Sequence, residues 1–234
     1  MKIALSGYGK MGKTIEKIAL DRGHEIVLKI FENIEDYDLS KAEIVIDFSI
    51  PDVAFKNITT CFQYGLPDVS GTTGWLKDYE KAVKVCKEKN AGFIYASNFS
   101  IGVNLFFELN EKLAKMMDGF KDYSVEIEEI HHTQKLDAPS GTAISLAQQI
   151  IDNSSKEGWE LDKANENEIP IYAKRIENVP GTHTVSYNSK VDSIEIKHTA
   201  HSREGFALGA VIAAEWLLGK KGVFTMKDVL SGLS

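Results

Sequence analysis

The chain has 234 residues, 43% hydrophobic and 26% charged, which is enough for one large domain or two small ones. A net charge of -7 and a pI of about 5.4 argue against bulk electrostatic attraction to nucleic acid or to an anionic membrane. No apolar run reaches the roughly 20 residues of a membrane span, Met1 to Leu5 is too short for a signal-peptide core, and Cys61 and Cys86 give neither metal-type spacing nor a disulfide framework, so a cytoplasmic location is expected.

In chain order, Ile3-Ala4-Leu5 reads as a short buried strand running into Gly7-Tyr8-Gly9-Lys10-Met11-Gly12. Ile15, Ile18 and Ala19, set against Lys13, Glu16 and Lys17, then predict an amphipathic helix. Glu25 to Phe31 is a second strand with Glu32 at its carboxyl end. Ile44 to Phe48 is a continuous apolar strand of the kind buried in parallel sheets. Pro51 opens a helix, Leu66 to Val69 is a strand ending at Gly71-Thr72-Thr73-Gly74, Asp78 to Lys89 is a helix, and Phe93 to Tyr95 is a strand. Strands alternating with helices predict a doubly wound sheet for residues 1 to about 97.

The second half has a different pattern. Leu105 to Met117 has helical period, and Tyr123 to Ile130 alternates Val125 and Ile127 with Glu126 and Glu128, as a half-exposed strand would. Ser154 to Glu168 is polar and reads as a loop. Tyr172 to Arg175, Thr182 to Tyr187 and Ser193 to His198 read as strands, and an apolar helix from Ala207 to Leu218 closes the chain. Strand-rich sequence after an α/β region predicts a separate α+β domain.

Two segments carry chemistry. Gly7-x-Gly9-x-x-Gly12 stands between a strand and a helix, the context in which such a motif binds a dinucleotide. Gly7 permits the tight turn, Gly9 the approach of a pyrophosphate, and Gly12 close helix-strand packing; Glu32 lies where an acidic residue binds a ribose hydroxyl. Asn33 stands where an arginine would favour NADP, and Glu32 repels a 2′-phosphate; Lys10 pulls the other way, so the preference leans to NADH. Gly71, Thr72 and Thr73 at the carboxyl edge of the sheet could hold the nicotinamide end, or form a Gly-flanked turn with a threonine cap.

The second segment runs from His131 to Thr142 and packs two imidazoles, Lys135, Asp137 and a Ser140-Gly141-Thr142 turn into twelve residues. Ala143, Ile144, Leu146, Ala147 and Ile150 follow at helical spacing, so the turn opens a helix whose N-terminus suits an anion. Solvated histidines and a plain capped turn are the bland alternatives. Metal is not expected, because His131 and His132 are strand neighbours that point apart and no cysteine accompanies them.

Together with Asn98-Phe99-Ser100-Ile101-Gly102-Val103-Asn104, these motifs fall in the order and spacing of a known family. The chain resembles the 4-hydroxy-tetrahydrodipicolinate reductases (dihydrodipicolinate reductases) of lysine and diaminopimelate biosynthesis. The His-His-x-x-Lys-x-Asp-Ala-Pro-Ser-Gly-Thr-Ala segment is specific to that family, and the likeness covers nearly the whole chain, Ser202-Arg203 included. The resemblance implies NADH- or NADPH-dependent reduction of a small cyclic dicarboxylate in a homotetramer. It implies a Rossmann-like dinucleotide-binding domain of residues 1–97 plus about 203–234, and a C-terminal α+β substrate-binding and tetramerisation domain of residues 98–202. It assigns His131 as general acid/base and Lys135 as proton donor. His132, Lys135, Ser140, Gly141 and Thr142 become substrate ligands. Gly7, Tyr8, Gly9, Lys10, Met11, Gly12, Glu32, Gly71, Thr72, Thr73, Ser97, Asn98 and Phe99 become coenzyme contacts. The chain is short for the family, and Lys10 replaces the usual arginine of the glycine loop. The competing readings are another two-domain oxidoreductase, which would need a well-placed catalytic cysteine or a different Lys-Asp pattern, and an NADH-sensing domain without turnover, which would not need the His-His-x-x-Lys segment.

Overall fold

A computed structural model describes residues 1–202 and 204–233. The chain forms two compact units, Met1–Ile101 with Glu204–Ser234, and Gly102–Arg203. Arg203, part of the family resemblance, lies outside the described residues.

The first unit is built on β1 (Lys2–Ser6), α1 (Lys10–Asp21), β2 (Glu25–Ile30), β3 (Ile44–Asp47), α2 (Pro51–Gln63), β4 (Asp68–Ser70), α3 (Tyr79–Glu88) and β5 (Gly92–Tyr95). The six-stranded sheet has the order β2-β1-β3-β4-β5-β11 and is parallel throughout; its last strand is supplied by β11 (Gly222–Phe224). The run Ile44-Val45-Ile46-Asp47 is buried at every position because both faces of the sheet are covered. Ile3, Leu5, Ile44 and Ile46 pack on one side against α1 and the later helix α6 (Glu204–Leu217). Ala4 and Val45 point the other way, toward Cys61 of α2, and further along that face Phe62, Trp75 and Phe93 form an aromatic cluster. The strand order reverses at β1 and β3, so their carboxyl ends open a crevice of the kind in which α/β sheets bind ligands.

The second unit holds α4 (Ile101–Met117, entering from its first residue), β6 (Ser124–His131), α5 (Gly141–Asp152), β7 (Gly158–Leu161), β8 (Glu168–Arg175), β9 (Gly181–Asn188) and β10 (Ser193–Ala200). Its mixed sheet has the order β10-β9-β6-β8-β7, antiparallel from β10 to β6 and parallel from β6 to β7. Alternation on β6 sends Val125 and Ile127 into a core with Leu146 and Ile150 of α5, Ile171 of β8 and Val185 of β9. Full burial of an aliphatic side chain of this size contributes about 1.5–3 kcal/mol.

Three expectations need correction. The polar stretch Ser154 to Glu168 contains β7, a half-exposed edge strand that pairs in parallel with β8; its Gly-Trp-Glu-Leu sequence carries no inward-outward alternation. The apolar helix α6 does not close the chain. It is followed by β11 and by α7 (Met226–Ser231), whose N-terminus is held by a Thr225–Asp228 capping box. The strand placed at Tyr172 begins at Glu168 because its first residues pair with β7; Pro170 is tolerated there, one residue before the register with β6 begins at Ile171. Among the described residues no helix is long and apolar enough to cross a membrane.

Candidate active site

The glycine loop follows β1 directly. Gly7 has φ +83°, and a Cβ there would lie 2.2 Å from the Phe48 carbonyl oxygen, so no other residue fits without backbone movement. A Cβ on Gly12 would meet the Gly7 carbonyl oxygen at 2.7 Å, while the space beside Gly9 is open. Gly9 caps α1 without a side-chain hydrogen bond, which leaves the first-turn N–H groups of the helix to a ligand. Tyr8 stacks edge-on against Phe31 at 5.3 Å and donates to Glu16. Lys10 is exposed in the first turn, and Met11 packs on the core. A cleft of about 580 Å³ lies at the carboxyl ends of β1 and β3, lined among others by Gly7, Gly9, Glu32, Phe48 and Lys56. Its open glycine face and unpaired helix N-terminus fit a dinucleotide phosphate, and exposed Glu32 stands at the rim where a ribose would lie.

Lys56 was not foreseen from sequence. It projects from α2 to the Asn33 side-chain oxygen at 2.9 Å and to Glu35 at 2.7 Å, bringing a cation to the same rim.

The loops after β4 and β5 are more structural than their motifs suggest. The Thr72 hydroxyl donates to the Asp47 carboxylate at 2.7 Å and accepts from the Ser49 N–H at 2.8 Å. Asp47 is fully buried and also receives the Ser6 hydroxyl at 2.6 Å; burial raises its carboxyl, and these hydrogen bonds pull against that rise. Thr72 therefore braces the strand ends beneath the cleft, while Thr73 is exposed. A Cβ on Gly71 would meet the Phe48 ring at 2.3 Å. Phe99 is 1% exposed, its ring lies 5.8 Å from that of Phe48 and its carbonyl is packed against Gly209 of α6, so the coenzyme contact expected of it is not available: it is a core residue. Ser97 is exposed, and the Asn98 side-chain oxygen accepts from the Ser100 N–H at 2.9 Å.

In the second unit β6 places Glu129 and His131 on the buried face, in phase with Val125 and Ile127. His183 on β9 stands opposite Glu129, and Arg175 on β8 stands opposite His131. Glu129 is 0% exposed. Two guanidinium N–H groups of Arg175 donate to its Oε1 at 3.1 and 3.2 Å. Its Oε2 lies 3.1 Å from His131 Nδ1 and 3.7 Å from His183 Nε2. The His131 approach is off line for a hydrogen bond, and among the described residues neither Glu129 Oε2 nor His131 Nδ1 has a well-aligned hydrogen-bond partner. Burial alone would raise the Glu129 carboxyl, but His131, Ser140 and Arg175 outweigh it and hold it at about 2. Burial, with a smaller contribution from His131, lowers His183 to about 4, so it is neutral at pH 7. The glutamate and two histidines have donor atoms within 4.8 Å of one another. Arg175 supplies positive charge to that carboxylate and the Ser140 hydroxyl engages His183 Nε2, so the group stands as a hydrogen-bonded charge cluster.

Beyond β6, the Lys135 ammonium contacts both carboxylate oxygens of Asp137 at 2.7 Å. Arg175 donates to the Asp137 carbonyl at 2.6 Å and to the Lys135 carbonyl at 3.4 Å, tying this loop to the sheet. Ser140 caps α5: its hydroxyl accepts from the Ala143 N–H at 3.2 Å and shares a hydrogen bond of 3.0 Å with His183 Nε2. That hydroxyl points inward, and Ser140 is 3% exposed. Gly141 is exposed with no heavy atom near its Cβ position, and half-buried Thr142 follows it. His132 points away from His131, as its strand position requires, into a separate cavity of about 340 Å³ with Thr133, Asn178 and Ser202.

Glu129, His183 and Arg175 were also missed from sequence. Their parity was the available signal, since each shares the inward phase of an apolar neighbour on its strand: Ile127, Val185 and Ile171.

Residues 1–99 match the family model "Dihydrodipicolinate reductase, N-terminus", and residues 102–230 match "Dihydrodipicolinate reductase, C-terminus". The chain is 66% identical to the 4-hydroxy-tetrahydrodipicolinate reductase of Christiangramia forsetii, over 100% of this chain and 99% of the relative. It is 36% identical to that of Archaeoglobus fulgidus, over 98% and 100%. In fold it is similar to the dipicolinate-bound dihydrodipicolinate reductase from Paenisporosarcina sp. TG-14, with a TM-score of 0.80 at 23% identity over 96% of this chain and 97% of that one. Aspartate dehydrogenase from Thermotoga maritima shares the fold more distantly, with a TM-score of 0.51 at 14% identity. With both family models matched end to end and a two-thirds-identical relative of the same length, the chain belongs to the dihydrodipicolinate reductase family.

Proposed function

We propose that the chain reduces 4-hydroxy-tetrahydrodipicolinate, with loss of water, to tetrahydrodipicolinate at the expense of NAD(P)H, in lysine and diaminopimelate biosynthesis. The observation that carries this reading is the buried Glu129–His131 pair on the same unit as the α5 N-terminus and Lys135.

Bound NAD(P)H supplies the hydride. The substrate side needs an anchor for carboxylate and a source of protons. Gly141 and Thr142 N–H groups at the start of α5, with the Lys135 ammonium, bind a substrate carboxylate. Ser140 serves them by fixing the turn. Hydride addition leaves the ring electron-rich, and His131 gives it a proton from an imidazole N–H; Lys135 shares that task. In the first unit the coenzyme phosphates lie on Gly7 to Gly12 with Tyr8, Lys10 and Met11 beside them. Glu32 holds the adenosine ribose, and Gly71 to Thr73 with Ser97 and Asn98 offer groups to the nicotinamide end. Glu32 disfavours a 2′-phosphate, so NADH is the preferred coenzyme, and Lys56 keeps NADPH usable. A homotetramer in the cytoplasm is the assembly and location in keeping with the family.

Oxidation of NADH and NADPH, with and without the product of dihydrodipicolinate synthase, tests the activity. Pyridine-2,6-dicarboxylate should inhibit competitively against the substrate. Lys135→Ala should weaken that inhibition by about 2 kcal/mol, the low end of the range for a buried charge pair, because Lys135 must first leave Asp137. Noncompetitive inhibition, or inhibition indifferent to Lys135, overturns the placement of the substrate.

A further inference from the structure

We propose that Glu129, clamped by Arg175, is the positioning carboxylate that fixes the orientation and tautomer of His131. The inference rests on the reading of His131 as the proton donor.

Glu129 is a completely buried carboxylate, and one such group without compensation costs several kcal/mol. The cost is met asymmetrically. Oε1 is saturated by the Arg175 fork at 3.1 and 3.2 Å, while Oε2 faces the two imidazoles, and the Ser140 hydroxyl adds to what holds the carboxylate charged. Of these, His183 is the poorer cation. It is 5% exposed, its Nε2 is already shared with the Ser140 hydroxyl at 3.0 Å, and its ring meets that of His131 edge-on at 5.0 Å. The free lone pairs of Oε2 therefore fall to His131 Nδ1 at 3.1 Å. A small rotation brings that contact into line, with Nδ1–H as donor and Oε2 as acceptor. Nε2 is then the nitrogen that exchanges protons. It lies over Gly181, where a Cβ would come within 3.1 Å of it, so the absence of a side chain at 181 keeps that nitrogen clear.

In the proton-transfer step the Nε2–H bond breaks and its electron pair stays on the imidazole. The proton goes to the ring that hydride has made electron-rich, and water later returns a proton to Nε2. Glu129 keeps its negative charge throughout and takes no proton. The charged and titratable groups facing His131 are Glu129 on its own strand, Arg175 from β8, His183 from β9, and Lys135 with its partner Asp137 from the following loop. Glu129 is the one anion among them that is both buried and in contact with the ring. Arg175 has a second consequence: through the Lys135 and Asp137 carbonyls it sets the loop that carries Lys135 relative to the same carboxylate.

The test compares Glu129→Gln, Glu129→Asp and His131→Gln in the full-length protein. The urea unfolding midpoint serves as the folding control for the unit that carries Glu129, and NADH affinity as the control for the other unit. Glu129→Gln should lower kcat about 100-fold, the order expected when a general acid loses its alignment. KM for the substrate should change less than threefold, and the alkaline limb of the kcat profile should move to lower pH as the imidazolium loses its counter-charge. Imidazole 15N shifts should show the His131 tautomer fixed as Nδ1–H in the wild type and mixed in Glu129→Gln. Glu129→Asp, which keeps the charge, should recover part of kcat and the wild-type pH profile. If His131→Gln lowers kcat while Glu129→Gln keeps wild-type kcat, pH profile and tautomer, the inference falls and the role of His131 stands. If His131→Gln itself leaves kcat unchanged, the reading of the acid falls, and this inference with it.

Discussion

Replacing Ser140 with alanine isolates a hydroxyl that the sequence assigns to substrate and the structure turns inward. The hydroxyl accepts from the Ala143 N–H at 3.2 Å, shares a hydrogen bond of 3.0 Å with His183 Nε2, and helps to hold the Glu129 carboxyl down. Loss of the helix N-cap costs about 1 kcal/mol. Loss of the hydrogen-bond partner of a buried ring nitrogen costs a further 1–3 kcal/mol, roughly, because Ser140 and His183 are 3% and 5% exposed and water cannot replace the hydroxyl. The sum is a destabilisation of about 2–4 kcal/mol, far above the effect of a solvent-facing serine. Urea unfolding followed by far-UV circular dichroism reads it as a lower midpoint at unchanged slope. Ser140→Thr retains both hydrogen bonds and should lie within about 1 kcal/mol of wild type. A loss below about 0.5 kcal/mol for Ser140→Ala, joined to a large rise in substrate KM, would refute the inward role and return the hydroxyl to the substrate.

Acid stability follows from His183, which is held near 4 in the fold by burial first and by His131 second, against an ordinary value of 6.5. Between those values the unfolded chain binds the extra proton. Stability therefore falls as pH drops from about 6.5 to 4, by on the order of 3 kcal/mol. His183→Gln should flatten that slope in urea titrations at pH 4 to 7, and an unchanged slope would contradict the assignment. At the coenzyme rim, Glu32→Ala should weaken NADH more than NADPH, and Lys56→Ala should weaken NADPH by about tenfold while sparing NADH, the loss expected for one phosphate-facing cation. Dissociation constants for both coenzymes decide it; equal losses in either variant would remove that residue from the choice between coenzymes.

Much of the first unit was legible because its signals are local and redundant. Ile44 to Asp47 is apolar on every residue, Pro51 sits at a helix start, and Gly7 to Gly12 joins a strand to a helix. Gly141 to Asp152 was equally plain, with Ser140 before it and apolar residues at helical spacing after it. What escaped depends on pairings distant in sequence. Glu129 looks like one more acidic residue beside Glu126 and Glu128 until Arg175 and His183 arrive from β8 and β9. Lys56 reaches the coenzyme rim only because α2 packs beside the loop after β2. Thr72 has the composition of a ligand-binding hydroxyl, and only the burial of Asp47 reveals where that hydroxyl is used. β11 is three residues long and becomes a strand by pairing with β5, not by any pattern of its own.

The position of β11 also imposes an order on folding during synthesis. The second unit is continuous in sequence, and every strand of its sheet has been made by residue 200. The first unit was begun earlier but is left with the β5 edge unpaired, and with the face later covered by α6 bare, until residues 204–224 emerge. At about 5–20 residues per second, the interval between residue 95 and residue 224 is on the order of ten seconds. For that time an apolar parallel sheet with an open edge is exposed, the kind of surface that seeds wrong pairing. The older half of the chain is thus the last to be finished, and a nascent-chain chaperone acting on it has a window set by the length of the inserted unit.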